Sequence, residues 1–272
     1  TIARIARGNG HTKVLCQIDN VEPHEHHLTD KPFNRYYLHS VDGFVYMSEQ
    51  VHSELRAYSD APALFSPHPL FENFGERVER SEACVRLGLD PANRYVLFFG
   101  LIRDYKGLDL LLDAWAQLRR AGRTEGRRLI VAGEFYASRE RYVRQIEELH
   151  LGEEVILHDF FVPDADVKYY FSAADVLVQP YKTATQSGVT QIAYNFELPM
   201  IVTDVGGLPE IVPDGRVGYV CRPDAAGVAD ALVRICEGDT LARFRSAMRE
   251  EKRRFSWEEM CDRITELYES IR

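Results

Sequence analysis

Two cationic side chains lie in the segment from residue 99 to residue 107, where a predicted strand ends and a helix begins. Arg103 can bind two oxygens of a phosphate group at once, and Lys106 can add a compact positive charge. The free amides and the positive dipole end of the following helix favour an anion at the same place. We therefore predict a phosphate site here, although an ordinary connection with solvated charges explains this segment alone about equally well.

A second segment, residues 183–189, follows a predicted strand in the same way. Gln186, Ser187 and Gly188 precede a predicted helix over 189–196, whose first amides are free to bind an anion. Ser187 could also act only as an N-cap, which needs no ligand. Ligands of doubly wound sheets bind beyond the carboxyl ends of the strands, where both segments lie, so we expect them to form one site.

Two further strand ends could border this site. Glu134 follows a predicted strand and either lies near the ligand or begins the next helix. Gly206 and Gly207 permit a close approach of the backbone to a ligand or to a neighbouring helix, while Pro209 and Glu210 are also good helix starters.

The elements that must position these residues alternate in type. Short apolar runs alternate with longer amphipathic segments, a pattern typical of an α/β protein with a parallel sheet covered on both faces. The predicted strands are residues 13–16, 43–47, 63–66, 95–99, 128–132, 155–157, 176–179, 200–203 and 218–220, and the clearest predicted helices are residues 108–120 and 139–149.

The stiff segment Ser-Pro-His-Pro at residues 66–69 predicts a domain boundary. Residues 1–66 then hold three strands, too few for a stable Rossmann-like domain, whereas residues 67–255 hold six and can fold alone.

A final helix is predicted over residues 256–272. Ser256 and Glu259 there have the spacing of a capping box, in which each caps the other. The residues that we expect to pack this helix against the first three strands are Trp257, Met260 and Ile264.

The overall composition disfavours several classes of protein. The chain has 272 residues, a formal net charge of -9 and a pI near 5.5, whereas nucleic-acid binders need clustered basic residues. Its five cysteines are scattered and none has the spacing of a metal-ligand pair, so we expect reduced thiols in a cytoplasmic protein. The longest apolar runs have strand length and cannot span a bilayer.

Four sequence motifs follow one another from residue 100 onward. They are G-x-x-x-x-x-K-G at residues 100–107, A-D-V-L-V-Q-P-Y at 174–181, P-M-I-V-T-D-V-G-G-L-P-E at 199–210 and D-G-x-x-G at 214–218. In this order they resemble glycosyltransferase family 4, whose members are retaining enzymes of the GT-B class. The resemblance implies two Rossmann-like domains and a final helix that crosses back to the N-terminal one.

The resemblance also implies an activity. Such an enzyme moves a hexosyl group from a nucleotide-diphospho-sugar to a carbohydrate or lipid-linked acceptor, with retention, in polysaccharide or glycoconjugate synthesis. Arg103 and Lys106 would neutralise the donor diphosphate, so that neither a metal ion nor a cofactor is required. The implied donor-binding residues are Gly100, Arg103, Lys106, Glu134, Gln186, Ser187 and Gly188.

The sequence departs from the family at two positions. Relatives carry two glutamates with seven residues between them, and the matching residues here are Ala184 and Ile192. We interpret the chain as a variant branch that uses Gln186, Ser187 and Gly188 instead. Two alternatives stay open. One is a catalytically silent module that binds a nucleotide or a partner enzyme, and the other is a GT-B epimerase or phosphorylase.

Residues 18–25 resemble the loop of the family that faces the acceptor. Asp19 stands where many relatives carry a histidine, and Asp19 and His24 are candidate catalytic residues that orient an acceptor hydroxyl or take part in proton transfer. A metal site at His24, His26 and His27 is the weaker interpretation, because their crowded spacing on a polar loop favours a solvated segment about threefold.

The chain starts at Thr1, inside what reads as the tail of a helix. We therefore expect an N-terminally truncated protein in which residues 1–66 are the remnant of an acceptor-side domain. We expect no sugar transfer by this chain alone. The missing N-terminal part could also contact the inner face of a membrane.

Overall fold

The computed structural model describes residues 2–21, 30–136 and 139–272, which form two compact units. The first unit consists of Thr1–Pro69 together with Arg254–Arg272, and the second unit is Leu70–Arg253. No helix in the described part of the chain is long and apolar enough to cross a lipid bilayer.

The first unit contains a parallel sheet of three strands in the order β1-β2-β3. The strands are β1 (Leu15–Ile18), β2 (Gly43–Tyr46) and β3 (Ala63–Phe65), and three helices accompany them: α1 (Ile2–Arg7), α2 (Asp30–Leu38) and α3 (Glu49–Arg56). All four residues of β2 are buried, because apolar clusters cover both faces of this central strand: Phe44 and Tyr46 belong to one cluster and Val45 to another.

The first strand begins two residues later than the sequence predicts. The predicted strand covers residues 13–16, whereas β1 begins at Leu15. The amide of Val14 donates to the carboxylate of Asp42 at 2.8 Å, and this carboxylate also lies 3.1 Å from Arg7. The amide of Val14 therefore donates to a side chain and not to the backbone of a neighbouring strand, and the regular pairing of β1 begins at the next residue.

The second unit is built on a parallel sheet of six strands in the order β6-β5-β4-β7-β8-β9. Its strands are β4 (Arg94–Phe99), β5 (Arg127–Ala132), β6 (Val155–His158), β7 (Val176–Gln179), β8 (Met200–Thr203) and β9 (Gly218–Cys221). Its helices are α4 (Arg80–Leu87), α5 (Leu108–Arg120), α6 (Arg139–Glu148), α7 (Asp164–Ala173), α8 (Gly188–Asn195), α9 (Leu208–Ile211), α10 (Ala225–Ile235) and α11 (Thr240–Glu251), and short 3-10 turns cover Asp104–Lys106 and Lys252–Phe255.

The core of the second unit confirms the predicted α/β class. Central strands such as β7 and β8 are buried at every residue, which requires cover on both faces of the sheet. Helices α5 and α10 contribute much of one layer, with Trp115 and Leu232 among their buried side chains.

The strand order of the second unit reverses between β4 and β7. The chain winds outward from β4 in one direction and from β7 in the other, so that a crevice opens between the loops that follow these two strands. These are the loops that hold Arg103 with Lys106 and Gln186 with Ser187. The fold therefore places both predicted anion segments at the point where doubly wound sheets bind ligands.

Helix α12 (Trp257–Ser270) belongs to the first unit and packs on its sheet. Met260 and Leu267 are buried against Val45 and Met47 of the β2 region, with Ile264 partly buried beside them. Trp257 is 53% exposed, so its predicted packing is wrong. The apolar stripe begins at Met260, one turn into the helix, and the first turn lies outside the cluster.

The predicted capping box of α12 is half formed. The hydroxyl of Ser256 accepts a hydrogen bond from the amide of Glu259 at 3.1 Å, as an N-cap should. The carboxylate of Glu259 instead pairs with Arg263 at 3.1 Å, one turn further along the helix. An ion pair at this spacing competes with the return bond of the box.

Replacing Leu267 by Ala should destabilise the first unit by about 2–5 kcal/mol, because it leaves a cavity in a small core. Tyr268 is the matched control, since it is the next residue of the same helix and 44% exposed. Thermal unfolding followed by circular dichroism measures both variants. An equal loss of stability in the two variants would show that the stripe of α12 does not anchor the helix.

Candidate functional site

Three loops meet beyond the carboxyl ends of β4, β5 and β7. The amide of Ile102 donates to the carbonyl of Glu134 at 2.8 Å, which joins the loop after β4 to the loop after β5. The amide of Lys182 donates to the carbonyl of Tyr105 at 2.7 Å, which joins the loop after β4 to the loop after β7. The backbone of the site is therefore fixed by hydrogen bonds between segments distant in sequence.

Two glycines allow these loops to approach so closely. Gly107 has a φ of +69°, and a Cβ atom placed on it would lie 1.9 Å from the carbonyl oxygen of Pro180. Gly133 has a φ of +144°, and its Cβ would lie 2.2 Å from the carbonyl oxygen of Gly100. Neither the backbone conformation nor the space permits a side chain at these positions.

Lys106 is the central charged residue of the site. Lys106 is only 8% exposed. Its Nζ lies close to the backbone of Gly100, because a Cβ atom added to this glycine would be 3.2 Å from it. Within the described part of the chain this Nζ forms no hydrogen bond and no ion pair, and its nearest aromatic contact is the ring of Tyr181 at 5.8 Å. Burial lowers the pKa of Lys106 below its ordinary value. A buried ammonium without a carboxylate favours the binding of an anion.

The acidic residues nearby in sequence do not neutralise this charge. The carboxylate of Asp104 lies 2.6 Å from Arg141 and 3.2 Å from Lys182, and Lys182 also lies 2.9 Å from Asp109. The hydrogen bond from Arg141 is the main reason that the pKa of Asp104 is lowered. Because Asp104 pairs with Arg141 and Lys182, its carboxylate does not pair with Lys106.

Arg103 is held by an aromatic ring. Its guanidinium carbon lies 4.0 Å from the centre of the Tyr136 ring, a cation–π geometry. The guanidinium forms no ion pair with any residue in the described ranges. Stacking orients the planar group while its N–H donors stay available for oxygen atoms. Tyr136 is not among the predicted site residues, since only the fold brings the loop after β5 against the loop after β4.

The start of helix α8 forms the third side of the site. The hydroxyl of Ser187 accepts a hydrogen bond from Gln179 Nε2 at 2.6 Å and lies 3.2 Å from the hydroxyl of Tyr181. The side chain of Ser187 caps no amide of α8, so the N-cap interpretation of its hydroxyl is wrong. The amide of Thr190 donates to the carbonyl of Ser187 at 3.2 Å, and the hydroxyl of Ser187 leaves the amides of Gly188 and Val189 to other acceptors.

The same helix start lies beside the lysine. A Cβ atom added to Gly100 would contact two groups at once. It would lie 3.2 Å from Lys106 Nζ and 3.5 Å from a side-chain methyl of Val189, which is in the first turn of α8. A Cβ on Gly188 would lie 2.8 Å from the ring of Phe71, so a side chain at this position would have to displace that ring. The structure thus brings together Gly100, Lys106 and the helix start that contains Gln186, Ser187 and Gly188.

The remaining predicted site residues have less defined surroundings. The side chain of Glu134 is exposed, and its backbone carbonyl holds the loop at Ile102. Asp19 is an exposed residue directly after β1 in the first unit, and His24 lies outside the described residues. Among the residues described, no group of three or more His, Cys, Asp or Glu side chains could hold a metal ion.

The positions of the absent glutamates are apolar and buried. Ala184 and Ile192 are each 6% exposed, so neither side chain is displayed at the surface of the site. Polar character comes instead from Gln179, Tyr181 and Ser187, which share hydrogen bonds. Burial raises the pKa of Tyr181, which keeps its hydroxyl protonated and able to donate.

Comparison with known families decides the assignment. Residues 93–238, more than half of the chain, match the family described as glycosyl transferases group 1. The chain belongs to this family. It is 29% identical over 201 residues to D-inositol 3-phosphate glycosyltransferase 1 of Catenulispora acidiphila, a match that covers 71% of this chain and 48% of that protein. A D-inositol 3-phosphate glycosyltransferase of Mycobacterium tuberculosis is 31% identical over 200 residues, which cover 70% of this chain and 40% of that protein.

Solved structures of glycosyltransferases share the fold. The structure of sucrose-phosphate synthase from Thermosynechococcus elongatus aligns with a TM-score of 0.81 and 23% identity. The alignment covers 97% of this chain and 70% of the chain of that protein. HepE from Anabaena, in complex with UDP and glucose, matches 99% of this chain and 74% of its own, with a TM-score of 0.77 and 18% identity. These matches confirm the predicted GT-B fold. The group 1 chain spans about half or less of the length of its curated relatives.

Proposed function

We propose that the second unit binds a nucleotide-diphospho-sugar and that the whole protein transfers its hexosyl group to a carbohydrate or lipid-linked acceptor, with retention. The observation that carries this proposal is Lys106, a buried ammonium without a carboxylate partner at the switch point of the sheet. A diphosphate supplies the negative charge that such a group requires.

The surroundings of Lys106 support a diphosphate in particular. Arg103, oriented by Tyr136, can hold a second set of phosphate oxygens. The start of α8, which lies beside Lys106, offers backbone amides to the same anion. We assign the donor-binding residues accordingly as Gly100, Arg103, Lys106, Glu134, Gln186, Ser187 and Gly188. HepE was solved with UDP and with UDP-glucose, which makes UDP the first nucleotide to test.

The proposed chemistry depends on charge and positioning. The bond between the anomeric carbon and the donor phosphate oxygen breaks, an acceptor hydroxyl bonds to that carbon, and the hydroxyl proton passes to an oxygen of the departing diphosphate. Negative charge then grows on the departing diphosphate, where Arg103, Lys106 and the α8 amides stabilise it. We assign Asp19 and His24, in residues 1–66 of the acceptor-side domain, to the orientation of the acceptor hydroxyl.

The proposal is tested first by donor binding. Calorimetric titration of the chain with UDP, GDP and ADP should give saturable binding of at least one of them, and a single stoichiometric site. A chain that binds none of the three would contradict the assignment of the donor site.

Turnover is then tested on the whole protein. Incubation with the matching nucleotide sugar and a panel of carbohydrate and lipid-linked acceptors should release the nucleoside diphosphate and form a glycoside. Proton NMR of the product should show that its new anomeric centre has the same configuration as the anomeric centre of the sugar donor. Binding without transfer to any acceptor would instead favour a catalytically silent module, and an inverted product would refute retention.

A further inference from the structure

A second concave site lies in the second unit at the amino ends of strands β4 and β5, opposite the ends that carry the donor loops. It is a cavity of about 270 Å³ lined by Arg94, Arg127, Asp175, Cys236, Gly238, Asp239, Leu241, Ala242 and Arg245. Arg94 and Arg127 are the first residues of β4 and β5. The donor loops follow the last residues of the same strands, roughly 17–20 Å away along six residues of strand. We call this site the distal arginine cavity.

Most of the positive charge in the distal arginine cavity is not balanced. Asp175 accepts hydrogen bonds from Arg80 at 3.3 Å, Arg94 at 3.4 Å and the amide of Tyr95 at 2.8 Å, so one carboxylate serves two guanidinium groups. Arg127 and Arg245 form no ion pair with any residue in the part of the chain that the structure describes.

The two unpaired arginines are anchored by backbone carbonyls only. Arg127 donates to the carbonyl of Arg123 at 2.6 Å, and Arg245 donates to the carbonyl of Glu197 at 3.3 Å. Burial, together with the nearby charge of Arg77, lowers the pKa of Arg245. Both guanidinium groups therefore keep N–H donors for an anion.

The remaining lining adds to this positive field, with one exception. Leu241 and Ala242 lie in the first turn of α11, where helix amides have no intrahelical acceptor. The exception is Asp239, an exposed residue at the N-cap position of α11 whose side chain caps no amide of the helix. The lining of the cavity therefore contains three arginines and two aspartates, and one of these aspartates, Asp175, is shared with Arg80.

We propose that the distal arginine cavity binds a small soluble anion that carries a phosphate group, at a site separate from the donor site. The guanidinium group, a planar fork of N–H donors that stays charged, is well suited to phosphate oxygens. A volume of about 270 Å³ lies below the range of roughly 300–1,000 Å³ that is usual for pockets holding larger ligands. This volume matches inorganic phosphate or a small phosphate monoester better than a nucleotide sugar.

The test uses inorganic phosphate as the probe, in a chloride buffer free of sulfate. The titrated protein is the full chain with Arg103→Ala and Lys106→Met, so that the donor site cannot contribute. Calorimetry should show saturable phosphate binding in this background. Adding Arg127→Gln or Arg245→Gln should weaken it by about tenfold or more, because each change removes a charge-assisted contact.

Two controls keep the outcome clear. Arg120→Gln, an exposed arginine on α5 outside the cavity, should leave phosphate affinity unchanged. Arg127→Gln in the otherwise unchanged chain should leave nucleoside-diphosphate affinity unchanged, which separates this site from the donor site. If Arg245→Gln fails to fold, the half-buried Arg127 at a strand start provides the test alone.

Two results would overturn the distal site. One is an absence of phosphate binding in the Arg103→Ala, Lys106→Met background, which would place all anion binding at the donor site. The other is equal phosphate affinity in the Arg127→Gln, Arg245→Gln and Arg120→Gln proteins. Neither result bears on nucleotide binding by the unchanged chain, which is measured separately.

Discussion

Replacing Lys106 by Met is expected to weaken nucleoside-diphosphate binding by about 10- to 100-fold, the loss of a charge-assisted contact worth about 1.5–3 kcal/mol. The same change should raise the thermal stability of the ligand-free chain. Met has a similar length and no charge, so it removes a buried ammonium that has no carboxylate partner. Calorimetric titration and thermal unfolding measure the two effects on the same protein.

The stability effect has a defined pH dependence. Burial lowers the pKa of Lys106 in the folded state, so the folded state holds its proton less tightly than the unfolded state. The penalty is therefore fully present at pH values below the lowered pKa. It disappears as the pH rises through the ordinary pKa of lysine. The difference in stability between the Met variant and the unchanged chain should close over that alkaline interval.

Two further variants show whether the effect is specific to an unpaired charge. Arg103→Ala should also weaken nucleotide binding about tenfold or more without lowering stability, because its guanidinium forms no ion pair in the described structure. Lys182→Met removes a lysine already paired with Asp104 and Asp109, so it should lower stability and leave nucleotide affinity nearly unchanged. Unchanged affinity in both the Lys106 and the Arg103 variants would remove the basis of the donor site.

Replacing Gly107 by Ala should destabilise the second unit by about 2–5 kcal/mol. A residue with a Cβ in the left-handed region costs about 1–2 kcal/mol. The added methyl would also lie 1.9 Å from the carbonyl oxygen of Pro180, which forces the two loops apart at a further cost of about 1–3 kcal/mol. Since these loops form the site, nucleotide binding should fall with stability. Urea unfolding followed by fluorescence measures the change.

Gly126 provides the matched control for this substitution. Its φ of +64° is close to the +69° of Gly107, but a Cβ on it meets nothing within 4 Å. Gly126→Ala should therefore show the backbone cost alone, about 1–2 kcal/mol. The difference between the two variants isolates the close approach of the loops. Equal destabilisation would mean that the contact between Gly107 and Pro180 does not hold the site together.

The sequence predicts the sheet of the second unit closely. The strands at 176–179 and 200–203 and the helix at 108–120 have the predicted bounds. Their apolar runs are buried on both faces or form a complete amphipathic stripe, and glycine, proline or polar residues end them. Where an end depends on a distant side chain, as at Val14 and Asp42, the predicted bound is wrong by two residues.

The final helix also combines a feature that local sequence predicts with one that depends on distant contacts. Its start is correctly predicted from Ser256, because an N-cap is a contact between neighbouring residues. The residues that pack are not all predicted. Trp257 is large and apolar but exposed, while Leu267 is almost completely buried, because the position of the sheet beneath the helix decides which turn is covered.

By itself, the sequence determined which residues could bind a phosphate and in which loops they lie. The charges of Arg103 and Lys106, and their place between a strand and a helix, are properties of residue type and local order. The tertiary structure decided the surroundings of those charges. It buried Lys106 beside Gly100 without a partner, stacked Arg103 on Tyr136 and joined Ser187 to Gln179. It also gathered Arg94, Arg127 and Arg245 into one cavity. Burial and the pairing of charges depend on contacts between segments far apart in the chain, and only the folded chain creates those contacts.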